Sequence, residues 1–136
     1  MVNSRFSVAI HILSLIATAP DKNQLTSDYI AGSVNTNPVV VRRTISVLKK
    51  AGLVASTPGV AGYELVEEPA NIPLLSVYEA LGGTPNLFSI HEAPNPACMV
   101  GKQISGILVN TYDHVWQAVK EQLEAQTLQT VLDQLQ

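Results

Sequence analysis

The sequence predicts a mainly α-helical chain with a small β-hairpin and a long C-terminal helix. Three observations predict it. Apolar residues recur at helical spacing in three segments before residue 52, and two short strand-like runs joined by a Pro/Gly turn follow them. Beyond residue 100 comes a helical pattern longer than a small domain of three helices and a hairpin requires. At 136 residues the chain has the size of one ordinary domain. With 46% hydrophobic and 14% charged residues it is too apolar and too weakly charged to remain disordered.

In the first segment Ser4 is placed to cap a helix in which Phe6, Ala9, Ile10, Leu13, Ile16 and Ala17 recur. Val8, Ile12 and Leu15 widen that stripe so far that little of the helix can face water. The segment also resembles a secretory leader, with Arg5 ahead of an apolar run that ends in Ala17-Thr18-Ala19. Ser7, His11 and Ser14 interrupt the run, however, and it is too short to span a bilayer, so a core helix ending near Pro20 is the better account. Thr26 or Ser27 then caps a helix of about two turns that reaches Val34 and turns Tyr29, Ile30 and Val34 inward.

The third helix carries the clearest start signal. Asn37 stands at the N-cap and Pro38 at the first helical position, where a missing N–H costs nothing. Val39 to Lys50 follow, with Gly52 available to end the helix. Val41, Ile45 and Leu48 form the inward stripe, which leaves Arg42, Arg43, Ser46, Lys49 and Lys50 mainly on an exposed side. Leu53 to Ser56 and Tyr63 to Val66 read as strands joined across Thr57 to Gly62. Three helices and a hairpin, with a short second helix and a basic, well-capped third, make a winged helix-turn-helix.

Asn71 is placed to cap a fourth helix, Ile72 to Leu81, closed by Gly82 and Gly83. A loop rich in Pro and Asn runs from Thr84 to Ala97, with Cys98 at its end. The long helix follows, with Ile104, Leu108, Tyr112, Val115, Val119 and Leu123 on one stripe and Trp116 beside it. A last short helix covers Thr127 to Leu135. The expected organisation is therefore a winged head over residues 1–83, a sensor loop over 84–103 and dimerisation helices over 104–136. The dimer contact is expected at Ile104, Leu108, Val115, Trp116, Val119 and Leu123.

The formal charge of −3 hides an asymmetry. Arg5, Lys22, Arg42, Arg43, Lys49 and Lys50 outnumber Asp21, Asp28 and Glu64 in the first 66 residues, whereas acids dominate the remainder. The positive half calls for a polyanion, and the third helix carries most of that charge. Its capped start and basic flank suit the phosphates and base edges of a major groove.

Cys98 is the single cysteine. An intrachain disulfide is excluded, as is an all-cysteine metal site within one chain, and a cytosolic compartment fits best. Lone cysteines are most often inert small hydrophobes, but this one stands near a helix start with Lys102 one turn on, which favours thiolate and makes it a candidate redox sensor. His11 reads as a core histidine. His91 and Cys98 alone cannot fill four-coordinate zinc, so no metal site is expected. The chain has no GxGxxG, no Walker A loop and no HExxH, so it is not expected to be an enzyme.

Four stretches, in order, resemble one known family. They are Asn37-Pro38-Val39-Val40-Val41-Arg42-Arg43, Leu48 to Val54, the wing from Gly59 to Tyr63, and Ile72 to Leu81. Together they are similar to the Rrf2 family of bacterial transcriptional regulators across nearly the whole chain. The resemblance implies a homodimer, a repressor or activator, whose long C-terminal helix crosses to its partner and whose loop before that helix holds the sensor. Two recognition helices of such a cytoplasmic dimer would meet half-sites on a near-palindromic duplex. Repression is the expected mode. The resemblance places Asn37, Val39, Val40, Arg42 and Arg43 at the start of the recognition helix, Thr26 and Ser27 on the preceding helix, and Thr57, Gly59 and Tyr63 in the wing; Lys49 joins them from the basic flank. Several family members hold a [2Fe–2S] cluster with three cysteines where this chain has only Cys98, so no cofactor is expected. Pro58 stands where some relatives carry a minor-groove arginine. A small effector or a partner protein is an alternative signal. The rival reading is a winged-helix interaction module that controls a partner protein without binding DNA.

Overall fold

The structure, a computed structural model, describes residues 4–83 and 87–135. Helix α1 (Arg5–Thr18) runs through the centre of the head and buries Ala9, Ile12, Leu13 and Ile16. Ser4 occupies its N-cap position but makes no side-chain capping bond. A 3₁₀ turn at Lys22–Gln24 leads to α2 (Ser27–Val34), where Thr26 is the cap: its Oγ1 accepts from the Tyr29 N–H at 3.1 Å. Ile30 and Ala31 enter the core. Tyr29, expected inward, is instead 52% exposed. Ile30, Ala31 and Val34 share one face of this two-turn helix, and the residue before Ile30 lies round the far side of it.

α2 ends at Asn35, which adopts a left-handed φ of 65° and returns its N–H to Ala31. Helix α3 (Pro38–Lys50) then buries Val41, Ile45 and Leu48, as its periodicity predicts. Its end is closed by the Leu53 N–H reaching back to the Leu48 carbonyl across Gly52. The hairpin is shorter than expected. Strands β1 (Val54–Ala55) and β2 (Glu64–Leu65) pair antiparallel, Val54 opposite Leu65, and one further bond joins Val66 N–H to the Leu53 carbonyl. Between Ala55 and Glu64 the chain leaves the ladder for a turn in which Gly59 and Gly62 take left-handed φ of 79° and 90°.

The fourth helix also starts late. The sequence reading puts its cap at Asn71, but Pro69–Asn71 form a 3₁₀ turn, Ile72 is extended, and α4 spans Leu74–Ala80. Two causes act together. Pro73 disfavours helical backbone at the residue before it. Ile72 is also engaged elsewhere, since its carbonyl accepts from the Leu128 N–H at 2.9 Å while the Leu74 N–H donates to Gln126 at 2.8 Å. A short antiparallel bridge between Pro73 and Thr127 results.

Residues 84–86 of the expected sensor loop lie outside the described residues. Helix α5 (Met99–Ala125) is about 40 Å long at 1.5 Å per residue and has no fully buried side chain. It leans on α4 through aromatic contacts: Tyr78 meets Phe6 of α1 edge-on and Trp116 of α5 at a tilt, each at 5.5 Å between ring centres. Helix α6 (Leu128–Leu132) is shorter than the expected Thr127–Leu135 and starts with a reciprocal capping box between Thr127 and Thr130. It folds back onto α1, where Leu128 is fully buried in the core of the head and Leu132 packs at its edge.

Replacing Leu128 by Ala is accordingly expected to cost about 2–5 kcal/mol of unfolding free energy in urea, the range for a fully buried leucine. Leu135→Ala, at a side chain 57% exposed, should stay within about 0.5 kcal/mol of the parent.

Candidate nucleic-acid interface

The site begins with the burial of α3. With Val41, Ile45 and Leu48 fixed inward, Arg42, Arg43, Ser46, Lys49 and Lys50 are exposed. The start of the helix is held rigid: the Asn37 side chain accepts from the Val39 N–H at 2.7 Å and Pro38 presets the first turn. Val39 is 48% exposed and Val40 half-buried. The N-terminal end of the helix therefore presents the positive end of its dipole, a valine and two guanidinium groups.

Thr26 and Ser27 stand at the start of α2. Thr26 Oγ1 is occupied as a capping acceptor, which leaves its O–H as a donor, while Ser27 is half-buried. In the wing the Thr57 carbonyl accepts from the Val60 N–H at 3.0 Å, closing a turn with Pro58 and Gly59 at its corner. Gly59 has φ of 79° there, a backbone conformation that side chains disfavour.

Two of the expected residues carry structural duties. Lys49 Nζ donates to Ser56 Oγ at 2.7 Å and ties the end of α3 to the base of the wing. Tyr63 is half-buried and packs against the core. A second tie has no signal in the sequence. Lys22, in the turn after α1, forms a 2.6 Å ion pair with Glu64 of β2. At Gly62, with φ of 90°, a Cβ would lie 2.0 Å from the Lys22 carbonyl oxygen, so only glycine lets the wing come this close. Residues 42 positions apart carry no periodic signal that could have revealed the contact.

Cys98 stands at the N-cap of α5 and is exposed. Its approach is shaped by Asn95, whose carbonyl accepts the Cys98 N–H at 3.2 Å and whose side chain accepts the Ala97 N–H at 3.0 Å. The backbone N–H groups of Gly101 and then Val100 hold its thiol below the usual thiol range, against a small opposing effect of desolvation. Well beyond Cys98, Phe88 of the loop packs on Tyr112 of α5. His11 is half-buried and pairs with Ser33 Oγ at 3.0 Å, joining α1 to α2. His114 pairs with the Asn110 carbonyl, and His91 is exposed.

On α5, Ile104, Leu108, Val119 and Leu123 are half-buried. Val115 is exposed, as are Val100 and Ile107, and Trp116 is turned toward Tyr78 of its own chain. Among the described residues no helix is long and apolar enough to cross a membrane.

Comparison with known proteins places this geometry. The chain is 49% identical to YwnA of Bacillus subtilis (strain 168), assigned as an HTH-type transcriptional regulator, over 99% of each chain. A solved structure assigned as a DNA-binding protein superposes with a TM-score of 0.76 at 45% identity, covering 95% of this chain and 99% of the other. CymR, the global cysteine regulator of B. subtilis, shares the fold at a TM-score of 0.71 and 24% identity, over 100% of this chain and 98% of its own. The Rrf2 family, described as iron-dependent transcriptional regulators, matches residues 2–134. With a basic helix exposed beside a wing, and with relatives that regulate transcription instead of catalysing reactions, the chain belongs to the Rrf2 family of DNA-binding transcriptional regulators.

Proposed function

We propose that this regulator acts as a cytoplasmic homodimer that represses transcription by placing two copies of α3 in successive major grooves of a near-palindromic operator. The observation that carries the reading is the exposed basic flank of α3, set by burial of Val41, Ile45 and Leu48. A two-fold dimer would present these helices about 34 Å apart, one turn of duplex. The apolar side chains that α5 leaves open, Val100, Ile107 and Val115, support a second copy as the element that covers this helix.

The same reading makes Cys98 the sensor. An exposed thiol drawn toward thiolate by two backbone N–H groups is the form that attacks an oxidant. Diamide would take two electrons and two protons from Cys98 and a small thiol, leaving a mixed disulfide at the start of α5. Iron fits the residues poorly. Among the described residues no three His, Cys, Asp or Glu side chains gather at one point, and a dimer would bring only two cysteines. The regulator is therefore proposed to work without a resident metal.

The Arg42→Ala, Arg43→Ala double variant should bind operator more weakly by about 1–3 kcal/mol for each base-reading guanidinium, measured by fluorescence anisotropy across a salt series. Steep salt dependence, about −0.9 in log–log slope per neutralised phosphate, is expected of the parent. Unchanged binding by the double variant would show α3 misplaced, and no salt-dependent binding would favour the protein-interaction module.

Sedimentation equilibrium at micromolar concentration should return twice the chain mass. A monomer there would remove the dimer from the proposal.

Iodoacetamide should alkylate Cys98 at a rate that rises with pH and levels off at a lower pH than in the urea-unfolded chain. A thiol whose folded-state pKa is lowered is already thiolate where the unfolded one is still protonated. Diamide should change operator affinity in the parent and leave Cys98→Ser unaffected; equal behaviour of the two would remove the cysteine from signalling.

A further inference from the structure

The outward side of α3 is not uniformly polar. Opposite the buried Val41, Ile45 and Leu48 runs a ridge made by Val39, Arg43, Ser46 and Lys50, at spacings of four, three and four residues. All four are exposed, and the first of them is a β-branched hydrocarbon with 48% of its surface open. Single exposed apolar residues are ordinary on protein surfaces. This one differs in position: it lies in the first turn of the helix, on the same line as an arginine, at the end that a helix-turn-helix presents to base edges.

We propose that Val39 reads the methyl group of a thymine, and that this thymine lies within two base pairs of a guanine read by Arg43. The inference rests on the DNA-binding reading above and deepens it by naming what the recognition helix selects. Base edges in the major groove offer hydrogen-bond donors and acceptors at every pair, and the thymine C5 methyl is the apolar group among them. A valine set against cytosine or adenine amino groups would leave those donors without a partner, which disfavours the wrong base as well as favouring the right one. Spacing fixes the rest. Val39 and Arg43 are four residues apart, about 6 Å along the helix axis, whereas successive base pairs rise about 3.4 Å. A helix lying along the groove therefore sets the two backbone positions less than two steps apart, and an Arg43 side chain directed straight at the base edges keeps that spacing. Arg42 and Arg43, one turn from Val39, and Lys50 at the far end of the same ridge favour a nucleic acid over an apolar protein surface as the partner of this face.

The test is to enrich binding duplexes from a randomised pool with the full chain, and then to replace each thymine of the enriched half-site by deoxyuridine, which removes only the methyl. One thymine per half-site should lose about fourfold in affinity, as expected for one buried methyl-sized group. Val39→Ala, at an exposed site where the parent's thermal stability should be kept, should bind the thymine and deoxyuridine duplexes alike. Arg43→Ala should lose its preference at a guanine within two pairs of that thymine. The inference is overturned if no deoxyuridine weakens the parent, if Val39→Ala retains the full penalty, or if the two positions lie further apart, and DNA binding itself stands in all three cases. A pool that enriches no duplex overturns both readings.

Discussion

Burial of three side chains on one helix governs what this protein can present to its surroundings. Val41, Ile45 and Leu48 pack against α1 and α2, and with that face occupied the rotation of α3 about its axis is settled. Every exposed group on α3 follows from it, including both arginines and the valine of the first turn. The start of the helix is fixed independently by Asn37 and Pro38, so its direction and its rotation are determined by separate local causes. Placement of charge thus comes from uncharged residues, which leave Arg42, Arg43 and Lys50 exposed while Lys49 is fastened to Ser56.

The wing is set by a different kind of constraint. Its ladder is only two residues per strand, too short to orient it alone. Three contacts supplement it: Lys49 to Ser56 from α3, Lys22 to Glu64 from the turn after α1, and the close backbone approach at Gly62. The ion pair is exposed and contributes little to stability. The steric fit at Gly62 is more exacting, because a methyl group there would collide with a carbonyl oxygen. Tyr63 backs the same region from the core side.

Most of the head was legible in the sequence because its signals are local. The caps at Thr26 and Asn37, the proline at the first position of α3 and the inward stripe of that helix depend on neighbours three or four residues away. Most of what could not be read depends on distant partners. Tyr29 looked inward by composition, but a two-turn helix offers few inward places and Ile30, Ala31 and Val34 take them. The start of α4 moved because Ile72 bonds to Leu128, fifty-six residues on. At the site, the basic residues of α3 were legible, whereas the fastening of Lys49 and Lys22 into the wing was not, since nothing in a linear pattern distinguishes a lysine that is tied from one that is free.

The return of α6 to the head has a bearing on how the molecule comes into being. The core needs Leu128 beside residues of α1, so its last side chain arrives from the opposite end of the sequence, after a long helix that contributes nothing fully buried. A winged head assembled without it would keep an unfilled space against α1 and two unpaired backbone groups at Ile72 and Leu74. Contacts of such high sequence separation form slowly, because a large loop must close before they are rewarded. On a ribosome the head cannot reach its final packing until residue 128 has emerged, and by then the whole of α5 is already outside. The core of the head is therefore filled only after the helix proposed to pair it with a second copy has been made.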